Sequence, residues 1–338
     1  MKLGIYFDLR DPPPWRRGWD AVYARALETA EHADARGIGS IWLSEHHFFE
    51  DGYLPQPLVF AAALGARTKR ARIGTAVLIA PLRSAVEIAE EAAVADAVSG
   101  GRIELGLGTG YRLPEFEAFG AAPEERFEVL EHRGREVGEL LAAGRVTPRP
   151  IQDPLPIWIG GHKTRAAGIA GRLGAGLLSL NPDAWDLYCD ALEQAGHDRG
   201  FARAAGPLAL FVADDPERAW AAIRPHAEYG WRTYDDYARE GRDGARCAPT
   251  LPGVFDTIER GAKPPVRVVT VAQAARELRQ LAATATIEHV FFWERVPGMP
   301  DDLADRHVEL ILNGLIPAIA DLDQPLAAAK PPTERTSR

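Results

Sequence analysis

Cysteine is nearly absent from this chain: Cys189 and Cys247 are the only two among 338 residues. Two cysteines cannot build a disulfide framework, and without a C-x-x-C pair there is no zinc or thiol-redox signature. A reducing, cytoplasmic compartment is therefore expected. No apolar run approaches the length needed to cross a bilayer. The chain enters a strand-like segment at residues 3–7 with no charged leader or cleavage site before it. An excess of basic charge is missing too. The formal net charge is -9, which disfavours a nucleic-acid partner because phosphate binding needs a basic face. The local basic run Arg67-Thr68-Lys69-Arg70-Ala71-Arg72 reads as a helix end, where cations complement the dipole.

What is present is a regular alternation of short apolar runs and helical stripes. Strand-like segments fall at 3–7, 40–43, 73–78, 103–107, 156–161, 176–180, 207–213 and 289–293. Helical patterns fall between them at 20–36, 58–67, 85–98, 124–143, 164–173, 184–195, from 216 onward, and at 272–282, with 302–316 closing the series. Strands apolar on both faces that alternate with helices predict an α/β fold, a parallel (β/α)8 TIM barrel. A doubly wound open sheet accommodates the count and order less well. A single domain over 1–323 is expected, carrying an insertion at 229–265 near the seventh strand and a disordered tail at 324–338. The insertion is rich in Gly, Pro and aromatics, which suits a lid or substrate loop; disorder is the alternative.

Two strand ends carry unusual chemistry. One delivers Glu45-His46-His47-Phe48, and the other opens as Gly106-Leu107-Gly108-Thr109-Gly110-Tyr111. In parallel α/β proteins, polar residues just past the carboxyl ends of strands are where ligands sit. Adjacent histidines on extended backbone face opposite sides, so one of the two can reach a pocket. It would serve as an acid or base near neutral pH, or else merely bond neighbouring barrel residues. No second His/Asp/Glu cluster with ligand spacing accompanies it, so no metal is expected. The glycine turn lacks the third glycine of a dinucleotide fingerprint. It permits close backbone approach to a flat or anionic group, or is simply a tight turn. Arg126, in the first turn of a helix, and Gly160-Gly161-His162-Lys163-Thr164, joining a strand to a helix, are two further anion-suited positions. Together they point to a phosphorylated cofactor.

Several of these segments form a recognisable set: Trp42-Leu43-Ser44-Glu45-His46-His47-Phe48, Arg72-Ile73-Gly74-Thr75-Ala76, Ser99-Gly100-Gly101-Arg102, Glu115-Phe116-Glu117-Ala118-Phe119-Gly120 and Pro156-Ile157-Trp158-Ile159-Gly160-Gly161. With them the chain resembles the luciferase-like flavin- or deazaflavin-dependent monooxygenases and oxidoreductases. The resemblance implies a reduced flavin at the carboxyl mouth of the barrel. By position, His46 falls on the histidine beside the flavin ring, and Ala76-Val77 on a non-prolyl cis peptide against that ring. Gly108, Thr109, Gly110 and Tyr111 fall on the cofactor turn leading to the phosphate. Arg126 falls on the phosphate arginine, and Gly161, His162, Lys163 and Thr164 on the second phosphate turn. Three departures stand out. Gly108 replaces the reactive cysteine of luciferase, Thr109 replaces a phosphate-contacting arginine, and Pro81-Leu82-Arg83-Ser84-Ala85 lacks a His-Pro pair that many relatives show.

The resemblance further implies reduced FMN acting with O2 on a small apolar organic substrate, or alternatively F420 acting by hydride transfer. His46 would assist proton movement in either case. A separate flavin or F420 reductase and a homodimer are implied as partners, with no membrane association. A non-catalytic flavin-binding protein of the same fold is a competing reading, which retention of His46 and Arg126 disfavours. An unrelated barrel lyase or hydrolase is disfavoured as well, since neither paired catalytic carboxylates nor a Schiff-base lysine stands out.

Overall fold

The computed structural model describes residues 1–161, 164–240 and 266–322. The expected tail, most of the expected insertion, His162 and Lys163 lie outside the described residues, as does Cys247.

Strands β1 (Lys2–Phe7), β2 (Ser40–Leu43), β3 (Arg72–Thr75), β4 (Leu78–Ile79), β5 (Ile103–Gly108), β6 (Ile157–Gly160), β7 (Gly176–Leu178), β8 (Ala204–Pro207) and β11 (Ile287–Trp293) pair in parallel. The order closes on itself, because β3 and β4 both pair with β5 while β1 joins β2 to β11. β3 and β4 are two pieces of one barrel strand, interrupted at Ala76–Val77. Eight parallel strands thus form the closed (β/α)8 TIM barrel that the alternation predicts.

Helices α1 (Trp19–Ala35), α2 (Pro57–Arg67), α3 (Ala85–Ser99), α4 (Leu113–Phe119), α5 (Arg126–Ala142), α6 (Thr164–Arg172) and α7 (Pro182–Gln194) follow in turn. They are joined by α8 (Pro216–Arg239), α9 (Val271–Ala282) and α10 (Asp301–Leu310). Their ends are built locally. Ser84 and Glu87 form a reciprocal capping box at the start of α3, and Gly100 ends that helix in the left-handed region with φ 70°. Arg67, from the basic run, is the last residue of α2 and pairs with Glu31, whereas Arg72 of the same run lies in β3 and pairs with the buried Glu104.

The barrel interior is filled by Tyr6, Trp42, Trp158, Leu178, Ala205 and Phe291. Trp42 stacks on Phe291 at 4.7 Å and meets Trp158 edge-on at 6.3 Å. Each indole lies over a glycine of the adjoining strand: a Cβ at Gly74 would come within 2.3 Å of Trp42, and one at Gly176 within 2.2 Å of Trp158. Large residues opposite glycines fill the interior as a packed core rather than a pore.

One expectation needs correction in the second half. Residues 207–213 do not form the seventh barrel strand. That place belongs to β8, and β9 (Leu210–Val212) leaves to pair with β10 (Arg267–Val269) in a separate two-stranded sheet. Both stretches are short and apolar, so composition alone could not say which one closes the barrel. The first residues of the expected insertion are helical. Residues 229–239 continue α8, which is capped by Asp215 and accommodates Pro225.

His307 of α10 anchors this side, stacked on Phe211 at 4.2 Å with Nδ1 accepting from the Val212 N–H at 2.8 Å. Complete burial pushes its pKa down to about 4. The unfolded chain therefore takes up a proton near pH 6.5 that the folded one refuses until about 4, so this residue makes stability fall as pH drops through that window. Between pH 7 and 5, wild type should lose about 2 kcal/mol more unfolding free energy than His307→Leu. Denaturant titrations at the two pH values measure this, and equal losses in both proteins would refute the assignment.

Candidate active site

β2 ends at Leu43, and the next residues turn across the carboxyl mouth of the barrel. Glu45 points inward and is fully buried. Its carboxylate accepts from the Ile79 N–H at 2.7 Å, contacts His47 Nε2 at 2.8 Å and pairs with Arg83 Nη1. A buried carboxylate must be compensated in this way, because removing a charge from water is costly without partners. His47 is thereby held, buried, on the Glu45 side, with its ring 4.7 Å from that of Phe119. His46 turns to the opposite side, as the alternation predicts.

The His46 ring is held at both nitrogens. Nδ1 lies 3.1 Å from Glu115 Oε1, the same oxygen that accepts from the His47 N–H at 2.8 Å, and Nε2 lies 3.3 Å from the Tyr111 hydroxyl. Burial beside Glu115 raises the Tyr111 pKa well above that of an ordinary phenol, so the phenol keeps its proton. The consistent pattern has His46 Nδ1–H donating to Glu115 and Nε2 accepting from Tyr111. The second Glu115 oxygen is buried with no hydrogen-bond partner among the described residues. Glu115 sits on α4, a short helix that the sequence pattern does not reveal, although its motif residues are plain.

The Ala76–Val77 peptide is cis. It lies at the same barrel end as His46, since β2 and β3 pair with Leu43 opposite Thr75. The Ala76 N–H donates to the Leu43 carbonyl at 2.6 Å, and the Tyr6 hydroxyl donates to the Ala76 carbonyl at 2.6 Å. Val77 fills the space over two glycines: a Cβ at Gly108 or at Gly160 would lie 2.3 Å from a Val77 methyl. Gly108 thus leaves Val77 its room at this position.

Further along the mouth, Arg126 opens α5 and turns its guanidinium back to the Pro123 carbonyl, 5.1 Å from the Phe127 ring. Arg165, in the first turn of α6, lies 4.8 Å from the same ring. Two guanidinium groups on one phenylalanine, each beside a helix N-terminus, make an electropositive corner suited to an anion. Arg165 was missed because only the packing of α5 against α6 brings it there. Thr109 and Gly110 line the turn after β5, Gly110 with φ 64°, while Gly161 precedes Thr164, the first residue of α6. Tyr111 of the same turn faces His46.

Asp8, just past β1, is a second residue the sequence did not single out. Burial lifts its pKa to about 6, against the opposing pull of Arg10. At the other end of the barrel the fold gathers Glu104, Glu288 and His289. Arg72 pairs with Glu104, and Arg203 lies 3.8 Å from Glu288, so cations already balance these carboxylates.

The His46 ring is roofed by aromatics: Phe49 stacks on it at 4.9 Å, Tyr53 meets it edge-on at 4.8 Å, and Tyr234 of α8 lies at 5.7 Å. The Tyr53 and Tyr234 hydroxyls bond at 2.6 Å, and Tyr237 packs on Phe49 at 4.0 Å. The described part of the expected insertion, the end of α8, therefore lies over the histidine. Trp15 packs on Tyr229, whereas Trp19 is largely exposed.

A closed parallel barrel with its polar and aromatic cluster past the ends of β1, β2, β3 and β5 defines a (β/α)8 protein whose candidate site occupies the carboxyl mouth. The chain belongs to the luciferase-like monooxygenase family, whose family model it matches over residues 1–251. Among curated relatives, an F420-dependent glucose-6-phosphate dehydrogenase of Nakamurella multipartita is 34% identical over 212 residues, covering 55% of this chain and 62% of its own length. The oxygenase component of a flavin-dependent trigonelline monooxygenase of Acinetobacter baylyi is 30% identical over 158 residues, 41% of this chain and 43% of its own length. The chain thus spans roughly half the length of these relatives. The crystal structure of monooxygenase RslO1 from Streptomyces bottropensis shares the fold, with a TM-score of 0.78 at 23% identity, covering 94% of this chain and 100% of that one. The family's members named here are oxidoreductases, some flavin-dependent and some F420-dependent. Among the described residues, no helix is long and apolar enough to cross a membrane.

The fit of Val77 over Gly108 yields a direct test. Gly108→Ala should cost about 1–3 kcal/mol of stability by overpacking. Adding Val77→Ala should recover most of that loss in a double-mutant cycle, and additive costs would show that the two residues do not share the space.

Proposed function

We propose that the protein is a flavin-dependent monooxygenase that uses reduced FMN and O2 to oxidise a small organic substrate at the barrel mouth. The observation that carries the reading is His46, buried there with Nδ1 fixed by Glu115 and Nε2 turned to Tyr111. The residues suit such a cofactor. Val77, seated on Gly108 and Gly160 beside the Ala76 carbonyl that Tyr6 holds, would offer an apolar side against which a flat ring can pack. Arg126, Arg165, Gly161 and Thr164 would hold its phosphate, with His162 and Lys163 between them in sequence.

When bound, reduced FMN supplies the electrons and the activation of O2. The chain's own residues do the rest. His46 accepts or returns a proton at Nε2, oriented by Glu115 in the tautomer that leaves this nitrogen free to do so. Tyr111 acts as a hydrogen-bond donor at the same point, and Tyr6 holds the Ala76 carbonyl in place. Phe49, Tyr53 and Tyr234 exclude water from the reacting region. F420-dependent hydride transfer is the second reading, favoured by the likeness to the F420-dependent dehydrogenase; His46 would then serve as acid or base toward the substrate. A separate reductase as partner is supported by the relative named as an oxygenase component. A homodimer and a single barrel domain over residues 1–323 complete the reading.

Titration of the purified protein with FMN, reduced FMN and F420 tests the cofactor. Arg126→Ala and Arg165→Ala should each weaken binding about tenfold, while His46→Ala should bind normally and turn over about 10²–10⁴-fold more slowly. Lack of micromolar affinity for all three cofactors would overturn the proposal. Substrate turnover with F420 in the absence of O2 would select the second reading.

A further inference from the structure

The roof over His46 is pinned by two buried arginines that are compensated differently. Arg10 has a permanent partner: its Nε donates to Asp51 Oδ2 at 2.7 Å, both side chains being buried and both belonging to the barrel side of the site. Arg112 does not. Its guanidinium is 3% exposed and donates Nη1 to the His47 carbonyl, while Nε reaches Glu240 Oε2 at 2.9 Å. Glu240 is the capping residue at the end of α8, and its side chain is 44% exposed. The guanidinium also lies 4.6 Å from the Tyr237 ring and 5.3 Å from Phe49, the ring stacked on His46.

His46 is covered in this arrangement by Phe49, Tyr53 and Tyr234, and displacement of the end of α8, with Tyr234 and Tyr237, would uncover it. That movement takes Glu240 with it and leaves the Arg112 guanidinium, still anchored at the His47 carbonyl, without a carboxylate when a ligand fills the site. Leaving such a charge uncompensated is far more costly than exchanging one carboxylate for another. A neutral ligand would strand Arg112, whereas an anionic ligand would replace what was lost. We propose that Arg112 recognises a carboxylate on the substrate, that Glu240 occupies this position in the closed form, and that the substrate is a planar organic acid whose ring enters the aromatic box beside Phe49. The proposal rests on the reading of the His46 pocket as the substrate site, and it names the substrate class.

Benzoate and the isosteric neutral benzamide are suitable probes. Their binding to the full chain is read by calorimetry, without cofactor and again in the presence of whichever flavin binds. Wild type should prefer benzoate by about tenfold or more. Glu240→Gln, an exposed change that removes the internal competitor and loosens the end of α8, should strengthen the binding of both probes several-fold with the preference for benzoate retained, and Arg112→Gln should abolish the preference. Equal affinities for the two probes in wild type, or a preference for benzoate that survives Arg112→Gln, would overturn the assignment. Loss of flavin affinity in the separate titration would overturn the cofactor reading instead, so the two failures are distinguishable.

Discussion

One buried charge organises the mouth of the barrel. The Glu45 carboxylate has no access to solvent, so it must collect its own donors. The three it collects come from different places: the Ile79 backbone at β4, Arg83 just before α3, and His47 two residues along its own turn. Satisfying that charge therefore fixes the strand piece after the Ala76–Val77 peptide and holds His47 against Glu45. His46, one residue earlier, turns to Glu115 and Tyr111 instead. Removing any one donor would leave the carboxylate undercompensated at low dielectric.

Around this clamp the site divides into three regions with different physics. The wall of Val77 against Gly108 and Gly160 is steric, set by methyl groups that occupy the room a Cβ would need. The corner at Arg126, Phe127 and Arg165 is electrostatic, holding two like charges beside helix N-termini. The roof from α8 is mostly aromatic, held by rings, tyrosine hydroxyls, the hydrogen bonds of Arg10 to Gly230 and Thr233, and one half-exposed ion pair rather than by strand pairing. A rigid wall, a fixed charged corner and a cover of weaker attachment suit a site that must hold one ligand and admit another.

Much of the barrel was legible in the sequence because its strands are buried on both faces and therefore read as continuous apolar runs between helical stripes. The failures came where that signal was ambiguous. Residues 204–207 and 210–212 are both short and small or apolar, and only long-range pairing decides that the first closes the barrel while the second joins residues 267–269. The end of α8 was read as insertion because its glycine and aromatics resemble a loop composition, yet amphipathic packing over the mouth sustains the helix. Arg165, Asp8 and Arg112 carried no local signal, since an isolated charged residue in a sequence does not announce burial or a distant partner.

The sequence by itself determined the alternation of strands and helices, the strand-end positions of His46 and the glycine turn, and the family to which the chain belongs. These depend on local composition and spacing, which are printed in the chain. Only the tertiary structure decided that Glu115 and Tyr111 hold the two nitrogens of His46, that Arg126 and Arg165 share one ring, and that Glu240 lies on Arg112. Each of these joins residues brought together by barrel closure or helix docking, and burial gives such pairings their energetic weight. The same Glu–His or Arg–Glu pair in open solvent would count for little.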